Sequence, residues 1–269
     1  HVWLDDLNVI NKGFSGYLDA PEHIQVDVAI TRGSVTNAKF TVAAFGEEWF
    51  ISDNTLEGQG STGQSLSTSE GIEFRGRGHV AAFNDIFEVY DGISYGDGNI
   101  DIHNNAIHDN YDDSIEPDYG WDNYRVWQNS TWNAGGNGFS IQPINGGPWY
   151  FVQNQITGIS YNPFKLRSGT GALYTVGNTI IFKSAVQSVD RLFRNESVFA
   201  NNYLRVDADN GDNYIGYGYM PNPIETRLWD YNRYDVVPQK VFKMAGNQSL
   251  EELQASGIEL HTQLVGGDD

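Results

Sequence analysis

Residues 150–180, YFVQNQITGISYNPFKLRSGTGALYTVGNTI, contain one full period of the repeat that decides the fold. Asn154 and Asn178 stand 24 residues apart in this stretch, and each precedes an isoleucine by two positions. The pattern recurs along the middle of the chain at Asn54, Asn84, Asn105, Asn129, Asn154, Asn178 and Asn202. A fixed period in this range marks a repeat architecture, and a unit rich in Val, Ile, Phe and Tyr holds two or three short strands. We therefore predict an all-β fold, a right-handed parallel β-helix (solenoid) of about 24 residues per coil.

The asparagine side chain explains why one residue type recurs at this place. Asparagine tolerates the left-handed backbone region, which a sharp turn between sheets requires. Its amide both donates and accepts hydrogen bonds, so amides stacked one coil apart, at about 4.8 Å, can bond to each other. We expect each of these asparagines to take the left-handed position of a turn and to join an amide ladder.

The composition limits the partners and the environment. The 269 residues carry 16 Lys and Arg against 35 Asp and Glu, a net charge of −19, so we expect no nucleic acid partner. The acidity fits calcium binding, a saline habitat or plain solubility. No cysteine occurs and no apolar stretch approaches about 18 residues, so we expect neither disulfides nor a membrane span. We expect a protein that is secreted, periplasmic or on the cell surface, with its signal segment absent from this chain.

The organisation along the chain follows from the repeat and its interruptions. We expect residues 1–240 to form the β-helix, with the polar stretch 57–70 projecting from it as a loop. We expect residues 241–269 to form a C-terminal capping segment with a short helix. Ser249 and Glu252 make a capping box that opens this helix, and Gly257 can end it.

Several segments carry a family resemblance. They are EGIEFRGRGHV (70–80), DDSIEPDYGWDNYRVWQN (112–129), FSIQPINGGPWYFVQN (139–154), NPFKLRSGTGALYTVGNT (162–179) and, near the end, WDYNRYDVV (229–237) with SLEELQASGIELH (249–261). They resemble the right-handed parallel β-helix repeat proteins of bacteria, in the broad pectate-lyase-like group. The resemblance implies the fold. It implies activity only loosely, because the group includes polysaccharide lyases, glycoside hydrolases, epimerases and tailspikes.

Alignment of the coils by their asparagines predicts a polar patch on one sheet. Residues that share an inward phase are Ile93, Ile115, Phe139 and Phe164. Strand alternation then turns the next residue of each coil outward: Ser94, Glu116, Ser140 and Lys165. Two residues further on, Asp118, Gln142 and Arg167 also face outward. Charged residues on a sheet surface often only face water, but here residues of different chemistry converge.

Three functions can use this patch, and the first is a polysaccharide lyase that cleaves a uronate-containing glycan by β-elimination. Such a lyase needs a base and a group that neutralises the uronate carboxylate. Lys165 or Arg167 can supply either, and Lys165 is the better base if its pKa is depressed. A Ca²⁺ ion held by Asp113, Glu116 and Asp118 can bridge the protein to an acidic sugar chain.

The second function is a glycoside hydrolase with Glu116 as acid, provided that Lys165 does not lower the pKa of Glu116, and with Asp113 or Asp118 as base. In an extended strand Glu116 and Asp118 lie about 6.6 Å apart, at the lower edge of the inverting range.

The third function is glycan binding without reaction, as in a tailspike-like module. Ser140 and Gln142 would then hydrogen-bond to sugar, and aromatic rings would stack on sugar faces. The candidate rings are Tyr95, Tyr119, Trp121, Trp149 and Tyr161. Each of these rings can equally be a packing residue at a solenoid rim.

Overall fold

The structure is a computed structural model. It describes residues 2–10, 14–16, 28–38, 41–59, 69–142, 146–166, 171–182, 197–206, 215–217, 228–235, 242–244, 246–255, 257 and 259–265. In these ranges the chain is almost entirely β, and it winds as a parallel solenoid that repeats about every 24 residues. This confirms the predicted fold class. No helix within these ranges is long and apolar enough to cross a membrane.

Each full coil contributes strands to three stacks, and strands are numbered here in chain order. The first stack contains β1 (Val2–Asp5), β4 (Val28–Thr31), β7 (Trp49–Ser52), β10 (Val80–Ala82), β13 (Gly98–His103), β16 (Asp122–Trp127), β19 (Trp149–Val152), β22 (Leu173–Val176), β24 (Val198–Ala200) and β27 (Leu228–Asp230). The second contains β2 (Asn8–Ile10), β5 (Ser34–Ala38), β8 (Thr55–Gly58), β11 (Asp85–Phe87), β14 (Ala106–His108), β17 (Ser130–Trp132), β20 (Gln155–Ile159), β23 (Thr179–Phe182), β25 (Tyr203–Val206), β28 (Arg233–Asp235) and β31 (Gln263–Leu264).

The third stack carries the polar patch. It contains β3 (Phe14–Gly16), β6 (Val42–Glu47), β9 (Glu70–Arg77), β12 (Asp91–Tyr95), β15 (Ile115–Glu116), β18 (Phe139–Ile141) and β21 (Phe164–Leu166). A separate small sheet contains β26 (Ile215–Tyr217), β29 (Phe242–Met244) and β30 (Gly246–Gln248). The helix α1 spans Leu250–Ala255.

One continuous apolar core runs between the stacks. The predicted inward residues Ile93, Ile115, Phe139 and Phe164 pair in register and are fully or almost fully buried. This confirms their predicted phase. Larger rings fill the core beneath the first stack, where Tyr124 and Trp149 stack with their centroids 4.4 Å apart. The core therefore fixes which residues of the third stack face away from it.

The asparagine ladder is confirmed, and it extends one coil further than the sequence pattern indicated, to Asn232. Each amide nitrogen donates to the Oδ1 atom of the next asparagine at 2.9–3.1 Å. Each amide also donates to a backbone carbonyl, as Asn129 does to Ile102 O at 2.9 Å. Each Oδ1 accepts a backbone N–H from the preceding coil, as Asn129 does from Asn105 and Asn54 does from Gly33. The ladder residues therefore satisfy buried backbone groups at every turn.

The predicted reason for asparagine was wrong in one respect. The left-handed residue of each turn is the one before the ladder asparagine, with φ between 55° and 69°: Asp53, Phe83, Asn104, Gln128, Gln153, Gly177, Asn201 and Tyr231. Asparagine is required at the next position for its hydrogen bonds, because those bonds need both a donor and an acceptor on one side chain.

The loop and the C-terminal segment differ partly from expectation. Residues at both edges of the predicted loop 57–70 belong to strands, since β8 ends at Gly58 and β9 begins with the buried Glu70. Residues 60–68 lie outside the described residues. The capping box is confirmed: Ser249 N donates to Glu252 Oε2 at 2.8 Å, and Glu252 N donates to Ser249 Oγ at 3.3 Å. Beyond α1, strand β31 pairs with β28 and continues the second stack.

Candidate functional site

Two columns of polar residues run across the coils of the third stack. The first, called here the acidic column, contains Glu70, Asp91, Asp113, Asn137 and Asn162. The second, the Glu116 column, contains Glu73, Ser94, Glu116, Ser140 and Lys165. The predicted alignment of Ser94, Glu116, Ser140 and Lys165 is thus confirmed. Residues that are far apart in the chain become neighbours because the coils stack in register.

The acidic column is a second side-chain ladder in which carboxylates replace amides. Asn162 N and Nδ2 donate to Asn137 Oδ1 at 3.2 and 2.9 Å. Asn137 N and Nδ2 donate in turn to Asp113 Oδ1 at 2.7 and 2.5 Å. Asp113 has no amide hydrogen to pass on, so only its backbone N–H continues the series, to Asp91 Oδ1 at 2.8 Å. The ladder therefore ends in two stacked carboxyl groups.

Lys165 joins the two columns. Its Nζ lies 3.3 Å from Asp113 Oδ2 and 3.9 Å from Glu116 Oε1. Ser140 Oγ donates to Glu116 Oε1 at 3.2 Å, and Gln142 Nε2 lies 3.5 Å from Ser140 Oγ. One ammonium group therefore faces a group of carboxyl groups that it can only partly neutralise.

The side chains of both columns point away from the apolar core, yet they are largely shielded from solvent. Asp113, Ser94 and Ser140 are fully buried. The side chain of Glu116 is 15 % exposed and that of Lys165 is 22 % exposed. Glu116 and Lys165 are therefore the members of this cluster that a ligand can reach.

Burial sets the protonation of the carboxyl groups. It raises the pKa of Asp91 to about 10, and the carboxylates of Glu116 and Glu70 reinforce the shift. Burial likewise raises the pKa of Glu116 to about 8, with Asp113 as the next cause, and that of Glu70 to about 7. Adjacent carboxyl groups in a buried site hold protons because their anions repel each other and lack water. Glu116 is therefore mostly protonated at neutral pH.

Lys165 does not fit the role of a base. Burial alone lowers its pKa, but the carboxylates of Asp113 and Glu116 outweigh this effect and the pKa is raised. A lysine with a raised pKa remains an ammonium ion at neutral pH and cannot accept a proton. The condition under which Lys165 would serve as the base, a depressed pKa, is therefore not met. Arg167, the other predicted catalytic cation, lies outside the described residues.

The predicted extended geometry between Glu116 and Asp118 was also wrong. Strand β15 ends at Glu116, and Asp118 N donates to Glu116 O at 2.7 Å, which closes a tight turn around Pro117. Asp118 is half-buried, and its Oδ1 accepts the backbone N–H of Gln142 at 2.8 Å. The two carboxyl groups therefore remain close in the chain but do not follow the spacing of a strand.

The aromatic candidates divide into three kinds. Tyr119, Trp121 and Tyr161 are exposed, at 70 %, 58 % and 64 %. Tyr95 is half-buried, and the Arg75 guanidinium lies 3.8 Å from its ring centre. Trp149 is completely buried in the core, so its predicted contact with sugar was wrong. The exposed pair Tyr119 and Trp121 follows directly on Asp118 along the chain.

The candidate cation ligands differ from those expected. Carboxyl oxygens of Asp91, Asp113 and Glu116 lie within 4.8 Å of one another, a set in which Asp91 stands where Asp118 was predicted. Several carboxylate oxygens in one place fit Ca²⁺ in type. Asp91 and Glu70 escaped the sequence analysis, although a signal existed: Asp91 precedes Asp113 by 22 residues, close to one repeat.

Searches with this chain against protein families, curated proteins and solved structures found no match.

Proposed function

We propose that this protein hydrolyses glycosidic bonds of a polysaccharide, with Glu116 as the general acid. The observation that carries the proposal is the place of the Glu116 carboxyl group: its side chain is 15 % exposed beside Asp113 and Lys165, and burial together with neighbouring carboxylates raises its pKa to about 8. A glycosidase needs a carboxylic acid of raised pKa beside the scissile bond. The proposal includes membership of the pectate-lyase-like right-handed β-helix group, and a polymeric substrate implies a secreted, periplasmic or cell-surface location.

Asp113 prepares Glu116 for this role without touching the substrate, because it is completely buried. Asn137 and Lys165 both donate to Asp113 and hold it in place. After burial, Asp113 is the largest cause of the raised pKa of Glu116. Lys165 lies 3.9 Å from Glu116 Oε1 and opposes this shift in part, and its ammonium group can hydrogen-bond to a sugar hydroxyl.

The reaction then needs a base and a platform for the sugar. The proton of Glu116 passes to the leaving glycosidic oxygen, while water attacks the anomeric carbon and gives a proton to a carboxylate. We assign this role to Asp118, which is half-buried, lies two residues from Glu116, and is among the charges that raise the pKa of Glu116. Tyr119 and Trp121 expose ring faces beside it, on which the apolar face of a sugar can pack.

β-Elimination is the second candidate, and the Asp91, Asp113 and Glu116 cluster is the observation that favours it. These residues would hold Ca²⁺, which would supply the positive charge that a uronate carboxylate requires. Among the described residues, Lys165 would have to lose a proton to serve as base, which its ion pairs oppose.

Incubation with a panel of neutral, amino-bearing and uronate polysaccharides tests the proposal. Hydrolysis gives new reducing ends without the ultraviolet absorbance of an unsaturated sugar, whereas β-elimination gives both. We expect Glu116→Gln to lower the turnover at least about 100-fold, the contribution of a general acid. Glu57→Gln, a half-buried carboxylate of the second stack, is the matched control and should retain full turnover. Undiminished turnover in Glu116→Gln, or no product from any polymer, would overturn the proposal.

A further inference from the structure

A groove lies beside the acidic column, along the connections that lead from the second stack to the third. Its volume is about 860 Å³. Tyr111 and Tyr161 lie on it and are 59 % and 64 % exposed. They belong to coils two repeats apart, so their separation is roughly 10 Å at about 4.8 Å per coil. That distance matches two consecutive sugar units of a chain.

The Tyr111 ring is supported from behind. The Tyr90 ring lies 5.2 Å away at a tilt of 31°. A ring held in place by a neighbour loses little freedom when a ligand packs on it. The groove thus offers a pre-formed surface for the apolar face of a sugar.

The charge of the groove is one-sided. Glu88, Asp109 and Asp112 line it, and no Lys or Arg is among the described residues that do. Hydrogen bonds from His108 and Asn133 lower the pKa of Asp109, so this carboxylate is ionised at neutral pH. A chain of uronates would meet like charge along the groove, whereas an ammonium group would meet a partner.

The floor of the groove contains an unsatisfied acceptor. Asn110 is 4 % exposed, and its Oδ1 has no hydrogen-bond partner among the described residues. Its Nδ2 is directed to Asp113 O at 3.4 Å, which orients the amide. A buried acceptor without a partner costs free energy, which a small shift of the side chain toward a donating sugar hydroxyl or ammonium group would recover.

Asp112 links the groove to the proposed acid. It lines the groove, and it precedes Asp113, whose Oδ2 meets Lys165 Nζ at 3.3 Å. Glu116 lies within the same cluster of carboxyl groups. A chain that lies on Tyr161 and Tyr111 therefore runs alongside the column that contains Glu116, with Asp112 and Asp113 between them.

We infer that this groove binds a glycan without anionic groups and binds chains of amino sugars most tightly, which makes such a glycan the substrate of the hydrolysis proposed above. Only the statement that this glycan is a substrate rests on the proposed function. Binding in the groove stands on Tyr111, Tyr161, Asn110 and the three carboxylates.

Calorimetric titration of the Glu116→Gln variant separates binding from turnover. The probes are β-1,4-linked oligosaccharides of glucosamine and of N-acetylglucosamine and an oligogalacturonate, all of matched length. We expect the glucosamine chain to bind most tightly, with an affinity that falls as salt is added. The N-acetylated chain should bind less tightly and without that salt dependence, and the uronate should not bind. Adding Tyr111→Ala and Tyr161→Ala should weaken binding about tenfold or more. Adding Asp109→Asn and Asp112→Asn should abolish the preference for the amine.

Tyr231→Ala is the matched control, since this tyrosine is also exposed and stacks on a neighbouring ring, but lies in the turn that follows β27 of the first stack. It should bind as Glu116→Gln alone does. Equal binding of the uronate, or no loss in the double tyrosine variant, would overturn the inference. If the glucosamine chain binds as described but the wild type cleaves nothing, binding in the groove is supported and the proposed hydrolysis is refuted. If the wild type cleaves a polymer and the tyrosine variants leave KM unchanged, binding in the groove is refuted and the proposed hydrolysis is supported.

Discussion

Replacement of Asp91 by asparagine should stabilise the protein, and more so as the pH rises. Asp91 is 4 % exposed, and burial with neighbouring carboxylates raises its pKa to about 10, against 3.8 for the ordinary group. Between these values the folded chain holds a proton that the unfolded chain has released. The unfolded state therefore binds fewer protons, and stability falls as the pH rises through this window.

The magnitude follows from the width of the window. Keeping Asp91 protonated costs about 1.4 kcal/mol for each pH unit above 3.8, hence about 4 kcal/mol at pH 7 and about 2 kcal/mol at pH 5. An asparagine carries no such cost, and its Oδ1 can still accept the Asp113 N–H. Asp91→Asn should therefore gain up to these amounts, shared with the coupled groups Glu70 and Glu116.

Urea unfolding followed by circular dichroism, with a chelator present and at several pH values between about 5 and 8, measures the difference. Asp101→Asn provides the contrast, because Asp101 forms an ion pair with Arg125 at 2.6 Å on the first stack and its loss should destabilise. A stability difference for Asp91→Asn that stays constant with pH would refute the reasoning. So would a variant that is less stable than the wild type at pH 8.

The other predictions concern the two ladders and the cation cluster. Lys165→Met should lower the free energy of unfolding by about 3–5 kcal/mol at neutral pH, because it leaves the buried Asp113 without its ion-pair partner, and Asp113→Asn should rescue it. A Lys165 variant that unfolds like the wild type would contradict this. Asn129→Ala removes five hydrogen bonds and should cost about 3–5 kcal/mol in thermal or urea unfolding, whereas its exposed neighbour Gln128→Ala should change stability by less than about 1 kcal/mol. Equal losses of stability in these two variants would show that a ladder side chain contributes no more than its exposed neighbour does. Ca²⁺ should raise the melting temperature of the wild type near pH 8 and leave that of Asp91→Asn almost unchanged, and an equal rise in both would exclude the Asp91, Asp113 and Glu116 cluster as the ligand set.

The fold was predictable because the same asparagine pattern recurs from coil to coil. One asparagine per coil gave both the period and the phase, and the phase then placed Glu116, Ser140 and Lys165 side by side. The turn was misjudged by one residue, since the hydrogen-bond pattern of the amide, not its backbone preference, fixes the position of asparagine.

The chemistry of the site was less predictable, because it depends on neighbours in other coils. Lys165 looked like a base until Asp113, 52 residues earlier, was found beside it. Asp91 lay one repeat before Asp113 but within a different local sequence, and Glu70 was hidden in an apparent loop. Trp149 could not be assigned from the run Trp-Tyr-Phe-Val, in which every residue is large and apolar enough to pack inward.

The asparagine ladder has a direction, and Glu259 is where that direction stops. Every ladder amide donates one hydrogen bond to the side chain of the following coil, and Asn232 donates to Glu259 Oε1 and Oε2 at 3.1 and 3.2 Å in place of another amide. Tyr234 and Thr262 also donate to this carboxylate, which burial leaves with a pKa raised to about 7. Glu259 accepts four hydrogen bonds from three side chains, so it gathers the last donors of the ladder into one buried acid. Among the described residues, this acid is where the chain of amides hands over to a group whose charge depends on pH.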